Sequence, residues 1–174
     1  MKTAAASSEK WYSIFDSTRK LVEEDETFNL LSAKEKLLTL NYYHFDGLSN
    51  HRDFIVGQLL SVTGAATICF QMKKYRKVFH DIVDPIIEKA IQENSLRPIP
   101  LIDRSYFKFF WVQHLFLLRY WASDESQEYE NTIALIEKSM RSSFDFMSNG
   151  EIKSSLDLWK FLFQNPFKIG LRNE

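Results

Sequence analysis

The sequence predicts an all-α protein, a helical bundle of about six to seven helices, and three observations carry that reading. Apolar residues recur at three- and four-residue steps through most of the chain, no segment sustains the alternation of a half-buried strand, and only 5 Gly and 4 Pro punctuate it. The 174 residues, 45% apolar and 26% charged, suit one globular core. An aromatic share of 15%, including 15 Phe, points to a bulky core or an apolar cavity.

Residues 1–9 are read as a disordered or frayed start, 10–165 as a single helical domain and 166–174 as a C-terminal tail. The opening "MKTAAASSEK" has neither the apolar stretch of a secretory signal nor the Arg content of a transit peptide. From Ser8 to Glu24, the residues Trp11, Ile14, Phe15, Thr18, Leu21 and Val22 form one stripe on a helix. In "LLSAKEKLLTLNYYHFDGL", Ser32 and Glu35 have the spacing of a capping box. Gly47 marks a break, and Ser49 or Asn50 caps a third helix running to about Val62.

After "TGAAT" comes an amphipathic helix with Met72, Tyr75, Val78, Phe79, Ile82, Val83, Ile86, Ile87, Ala90 and Ile91 on one face, and Pro85 is expected to kink it. "NSLRPIPLIDRS" is a loop, after which Asp103 or Ser105 opens an aromatic helix from Tyr106 to Trp121. That helix is apolar nearly all round, as befits a bundle centre or an element shared between core and subunit interface. "SDES" caps the next helix, where Tyr129, Ile133, Ile136, Met140, Phe144 and Met147 approach a heptad seam that packs on one long neighbour. Gly150 ends it, and a last helix spans 151–164.

The 22 basic and 23 acidic residues leave a net charge of −1, so no overall field draws nucleic acid, and direct contact with it is not expected. A single cysteine, Cys69, excludes an internal disulfide framework and a cysteine-rich zinc site and fits an intracellular, cytoplasmic setting. The aromatic run is shorter than the ~20 residues that span a bilayer. It also carries Lys108, Gln113, His114 and Arg119, so no membrane span is expected.

There is no Gly-rich phosphate loop, nucleophile elbow, HExxH or di-iron ExxH pair, so no catalytic residues, metal ligands or cofactor are assigned, and the chain does not read as an enzyme. His80 and Asp84 share a helical face but are too few to hold a metal and read as a solvated or core hydrogen bond. The run "KKYRK" at 73–77 reads as a solvated face. His114, in the apolar helix, needs either a buried partner such as a Tyr hydroxyl or a place in a ligand cavity, and Tyr43 and His44 invite the same two readings. Phe70, Phe79, Phe110 and His114 are the expected lining of such a cavity. A homodimer is expected through the seam and the end of the aromatic helix, with Trp121, Tyr129, Ile133, Ile136, Met140 and Phe144 as the contact.

At "FLLRYWASDESQEYENTIALIEKSM", together with "SAKEKLLTLNYYHFDGLSNHRDF", the chain resembles the C-terminal regulatory domain of TetR-type transcriptional repressors, in particular a group from Bacteroidetes-like bacteria. The resemblance spans about residues 10 to 165 and rests on the aromatic and acidic turn at 121–126, the helix with Thr132, Ile136, Glu137, Lys138 and Ser139, and the final "WKFLF". It implies an α-helical domain that binds a small apolar ligand between helices and dimerises through long helices. A related architecture is the coenzyme-Q biosynthesis lipid-binding protein, which implies a stand-alone carrier as the alternative. The three-helix DNA-binding unit of such regulators, roughly fifty residues with a helix-turn-helix, has no counterpart ahead of the first matching helix, so the domain is expected without its own DNA-binding unit.

Overall fold

The computed structural model describes residues 2–59, 72–97 and 105–149. Among them are six α-helices: α1 (Lys2–Glu24), α2 (Ala33–Leu48), α3 (Arg52–Leu59), α4 (Lys73–Gln92), α5 (Ser105–Ala122) and α6 (Glu130–Asn149). Short 3₁₀ turns precede α2, α3 and α6, and no strand occurs among the described residues. The all-α class therefore stands. Residues 98–104 of the expected loop, Cys69, Phe70, the expected cap at Gly150 and the helix expected at 151–164 lie outside the described residues.

α1 begins at Lys2, so the stretch read as a frayed end supplies its first turns. Three consecutive alanines, the strongest helix formers, favour this extension. Ser32 and Glu35 form the expected capping box, with the Ser32 backbone N–H donating to the Glu35 carboxylate at 2.8 Å. The expected break at Gly47 falls one residue on: α2 ends at Leu48, and a 3₁₀ turn at Ser49–His51 leads into α3 at Arg52. Ser49 does not cap α3; its hydroxyl donates back to the Asp46 carbonyl at 2.6 Å and finishes α2. Pro85 lies inside α4, which is assigned as one helix from Lys73 to Gln92. Asn94, with φ of 56°, ends α4 in the left-handed region, and the Ser95 N–H reaches the Ala90 carbonyl at 2.9 Å, the bond pattern of a Schellman cap.

α2 sits at the middle of the bundle and packs on α1, α4 and α6, while α5 packs on α3, α4 and α6. The core gathers one stripe from each: Trp11, Ile14 and Phe15 of α1, Leu37, Leu40 and Phe45 of α2, Tyr75, Phe79, Val83 and Ile87 of α4, Phe110, Leu117 and Trp121 of α5, and Ile136, Met140 and Phe144 of α6. On α4 the spacing that buries Tyr75 leaves Lys73, Lys74, Arg76 and Lys77 in solvent, as expected for the basic run.

The turn into α6 is held by one carboxylate. Asp124 accepts from the Ser126 N–H and hydroxyl with one oxygen and from the Thr132 N–H (2.8 Å) and hydroxyl (2.5 Å) with the other. Burial alone would raise the Asp124 carboxyl, yet these bonds outweigh it and hold the group below its ordinary value. Asp124→Ala is expected to lower stability by about 2–3 kcal/mol in urea unfolding, through lost capping and two newly orphaned amides. A change below about 0.5 kcal/mol would show that water replaces the carboxylate.

Candidate functional site

Four helices contribute one polar side chain each to a chain of hydrogen bonds inside the core. Thr18 Oγ1 of α1 lies 2.9 Å from His44 Nδ1 of α2, and His44 Nε2 lies 2.6 Å from the Tyr75 hydroxyl of α4. The same hydroxyl lies 2.6 Å from His114 Nε2 of α5. All four residues are buried. Phe15, Phe45, Phe79 and Trp111 pack their rings around the two imidazoles. The hydroxyl partner expected for His114 is therefore Tyr75.

Burial drives the His44 imidazole well below its ordinary value, with His114 beside it acting in the same direction, and burial brings His114 down to about 3. Burial likewise drives the Tyr75 phenol up. All three are neutral at pH 7. Neutrality constrains the protons: the four groups carry four hydrogens but share three bonds. In one arrangement Thr18 donates to His44, His44 to Tyr75 and Tyr75 to His114, leaving the His114 Nδ1–H over. In the other every bond reverses, leaving the Thr18 hydroxyl hydrogen over and His114 Nδ1 with a bare lone pair. His114 Nδ1 has no partner among the described residues in either case.

Beside His114 is a void of about 10 Å³ lined by Leu37, Leu40, Asn41, Phe79, Val83, Phe110 and Met140. Such a volume is about the least that admits one water. His44, Phe79, Phe110 and His114, expected around a cavity, are thus brought together, and packed side chains fill the space between them. Tyr43 is not with them: it lies half-buried with its hydroxyl donating to Asp25 at 3.0 Å, a bond that, ahead of burial, raises its phenol.

A wider concavity than this void is a groove of about 550 Å³ between α2 and α6, bordered by the turn before α6. Tyr42, Tyr43, Phe45, Asp46 and Ser49 line it from α2, and Trp121, Glu128, Tyr129, Thr132, Ile133 and Ile136 from the other side. Phe45 faces both places, lining the groove while its ring lies 5.9 Å from that of His114. Ile136 lines the groove and Met140, one turn on, lines the void. Beside the turn before α6, Arg52 of α3 lies 5.0 Å from the rings of both Trp121 and Tyr129. Its guanidinium donates to the carbonyls of Trp121 (3.3 Å), Ala122 (3.5 Å) and Asp124 (3.1 Å), at the negative end of the α5 dipole. Glu128 and Tyr129 both adopt left-handed backbone, φ 49° and 58°, at the groove's edge.

The residues expected at a dimer contact divide. Trp121, Ile136, Met140 and Phe144 are buried within the protomer, and the long neighbour that α6 packs on is α2 of the same chain. Tyr129 is half-buried and Ile133 is 42% exposed, both in the groove. On α5, Tyr120 is 38% exposed and Phe116, one turn before it, is half-buried. His80 and Asp84 pair at the surface at 2.9 Å, with Arg76 Nε donating to the other ring nitrogen.

Sequence reading missed two parts of this site. Arg52 and Asp46 lie in polar stretches with no periodic signal, and only the fold sets one behind the aromatic pair and the other on the groove. Tyr75 was expected in the core without its role as the shared hydroxyl.

The chain is thus an all-α bundle with an aromatic groove between two of its helices. Residues 36–162 match the family of Tetracyclin repressor-like C-terminal domains, and the chain belongs to that family. Comparison with curated proteins and with solved structures finds no match. Among the described residues no helix is long and apolar enough to cross a membrane.

Proposed function

We propose that the chain is the ligand-binding and dimerisation domain of a TetR-type transcriptional regulator and that it takes an apolar small molecule into the groove between α2 and α6. The observation that carries this reading is the groove itself. Its volume of about 550 Å³ falls in the range of small-molecule sites, and its walls are mostly aromatic and aliphatic. Membership of the family supports a regulatory rather than a catalytic role. Of the residues expected to bind ligand, Tyr43 lies on the groove, and His44 and His114 lie behind Phe45, its inner wall.

A second copy of the chain meets the outward side of α5. Phe116, half-buried, and Tyr120, 38% exposed, give that helix an outward apolar surface, as expected of an element shared between core and subunit interface. Nucleic acid has no assigned contact on the described helices.

Native mass spectrometry tests the assembly, and titration calorimetry with octyl glucoside, a neutral amphiphile, tests the groove. The expected results are a species of twice 20.6 kDa and saturable binding of the glucoside that weakens at least threefold in Ile133→Trp, which narrows the groove. A monomer at micromolar concentration removes the dimer, and glucoside binding indifferent to Ile133→Trp removes the groove as the ligand site.

A further inference from the structure

We infer that the ligand of this groove carries a cationic head, an alkylammonium or similar organic cation on an apolar body. The inference rests on the groove reading above and adds the chemistry of the head group. The formal charges on the lining are those of Asp46 and Glu128, both exposed and both acidic, and the lining has no Lys, Arg or His. Neither carboxylate has an ion-pair partner among the described residues.

The hydroxyl hydrogens point to the same head group. Tyr42 donates to Glu137 at 2.9 Å, Tyr43 to Asp25, Ser49 to the Asp46 carbonyl and Thr132 to Asp124. Four of the five lining hydroxyls, all but that of Tyr129, are thus already engaged with protein acceptors. What remains on the lining is the Tyr129 hydroxyl, the Trp121 Nε1–H, which has no partner among the described residues, the faces of the tyrosine rings and the two carboxylates, and of these the ring faces and the charged groups attract positive charge. Burial and the Glu137 bond push the Tyr42 phenol up to about 12, so that hydrogen stays in place at any physiological pH. The nearby guanidinium, Arg52, is held behind Trp121 and Tyr129 by the carbonyls at the end of α5, whose negative dipole end offsets its charge.

The test uses three amphiphiles with one tail, octyltrimethylammonium, octyl sulfate and octyl glucoside, each below its micelle concentration, titrated into the full chain. The cation is expected to bind roughly tenfold more tightly than the sulfate, the size that one ring face and one carboxylate supply. In the double variant Asp46→Asn, Glu128→Gln, the ratio of cation to glucoside affinity is expected to fall by about the same factor. Equal binding of cation and sulfate, or a preference that survives the double variant, overturns the inference. Glucoside binding without cation preference leaves the groove reading standing and removes this one, and failure of all three to bind removes both.

Discussion

Tyr75→Phe is expected to lower the unfolding free energy by about 2–5 kcal/mol, a large effect for the loss of one oxygen. The ring itself can stay in place against Trp11, Phe15 and Trp111. What is lost is the shared hydroxyl, and His44 Nε2 and His114 Nε2 are then left in the core without partners, one as a donor and the other as an acceptor. Each orphaned group costs about 1–3 kcal/mol because no water replaces the bond. Urea unfolding at pH 7.5 measures it, with Tyr43→Phe as the control. The Tyr43 hydroxyl, half-buried on Asp25, should contribute less than about 1 kcal/mol. If the two variants are equally destabilised, the buried hydrogen-bond chain does not hold the core. Adding His114→Leu to Tyr75→Phe should cost less than the sum of the single changes, since it removes one of the orphans.

The second large effect is a loss of stability in mild acid. His44 and His114 are both held far below their ordinary range, His114 at about 3. Between about pH 6.5 and that depressed value the unfolded chain protonates these rings and the folded chain does not, so unfolding takes up protons and acid favours it. The contribution is complete above about pH 6.5 and declines by up to about 1.4 kcal/mol per pH unit per histidine below it. Over the step from pH 7.5 to pH 5 the two together should remove about 4 kcal/mol. His51, lowered by burial and then by Lys10, acts in the same direction. The depressed carboxylates Asp16, Asp25, Glu35 and Asp124 lose their contribution only at lower pH, since their unfolded values lie near ~4, which separates the two windows. His114→Gln should remove roughly half of the histidine slope. A stability that is flat from pH 7.5 to 5 would mean that these rings reach solvent.

Most of the fold was legible because helical periodicity reports which face of each element is buried, and the stripes read on α1, α4 and α6 lie mostly in the core, with Leu21 and Ile133 left exposed. The capping box at Ser32 and the acidic turn before α6 were legible for a related reason, since both are local and their partners lie within eight residues. The break at Gly47 was legible to within one residue, since α2 ends at Leu48 and α3 begins at Arg52. The seam of α6 was visible as a seam, but periodicity does not say whether its neighbour is another chain or another helix of the same one. His114 could be recognised as needing a partner, whereas the partner, 39 residues away, is set by how four helices meet. The groove was beyond reach for the same reason: its acidic and aromatic residues come from separate segments and acquire a common face only on folding.

The bonds among Thr18, His44, Tyr75 and His114 also bear on how such a protein can drift in sequence. Because each member closes its neighbour's hydrogen bond, a lone replacement at any of the four strands another, while a paired one can leave an apolar contact of equal volume. In relatives of this chain the four positions should therefore be inherited as a block or exchanged together for nonpolar residues, with mixed sets rare. Read across many sequences, that covariation would trace how α1, α2, α4 and α5 are keyed to one another, and it would do so at positions that a count of hydrophobic residues alone would overlook.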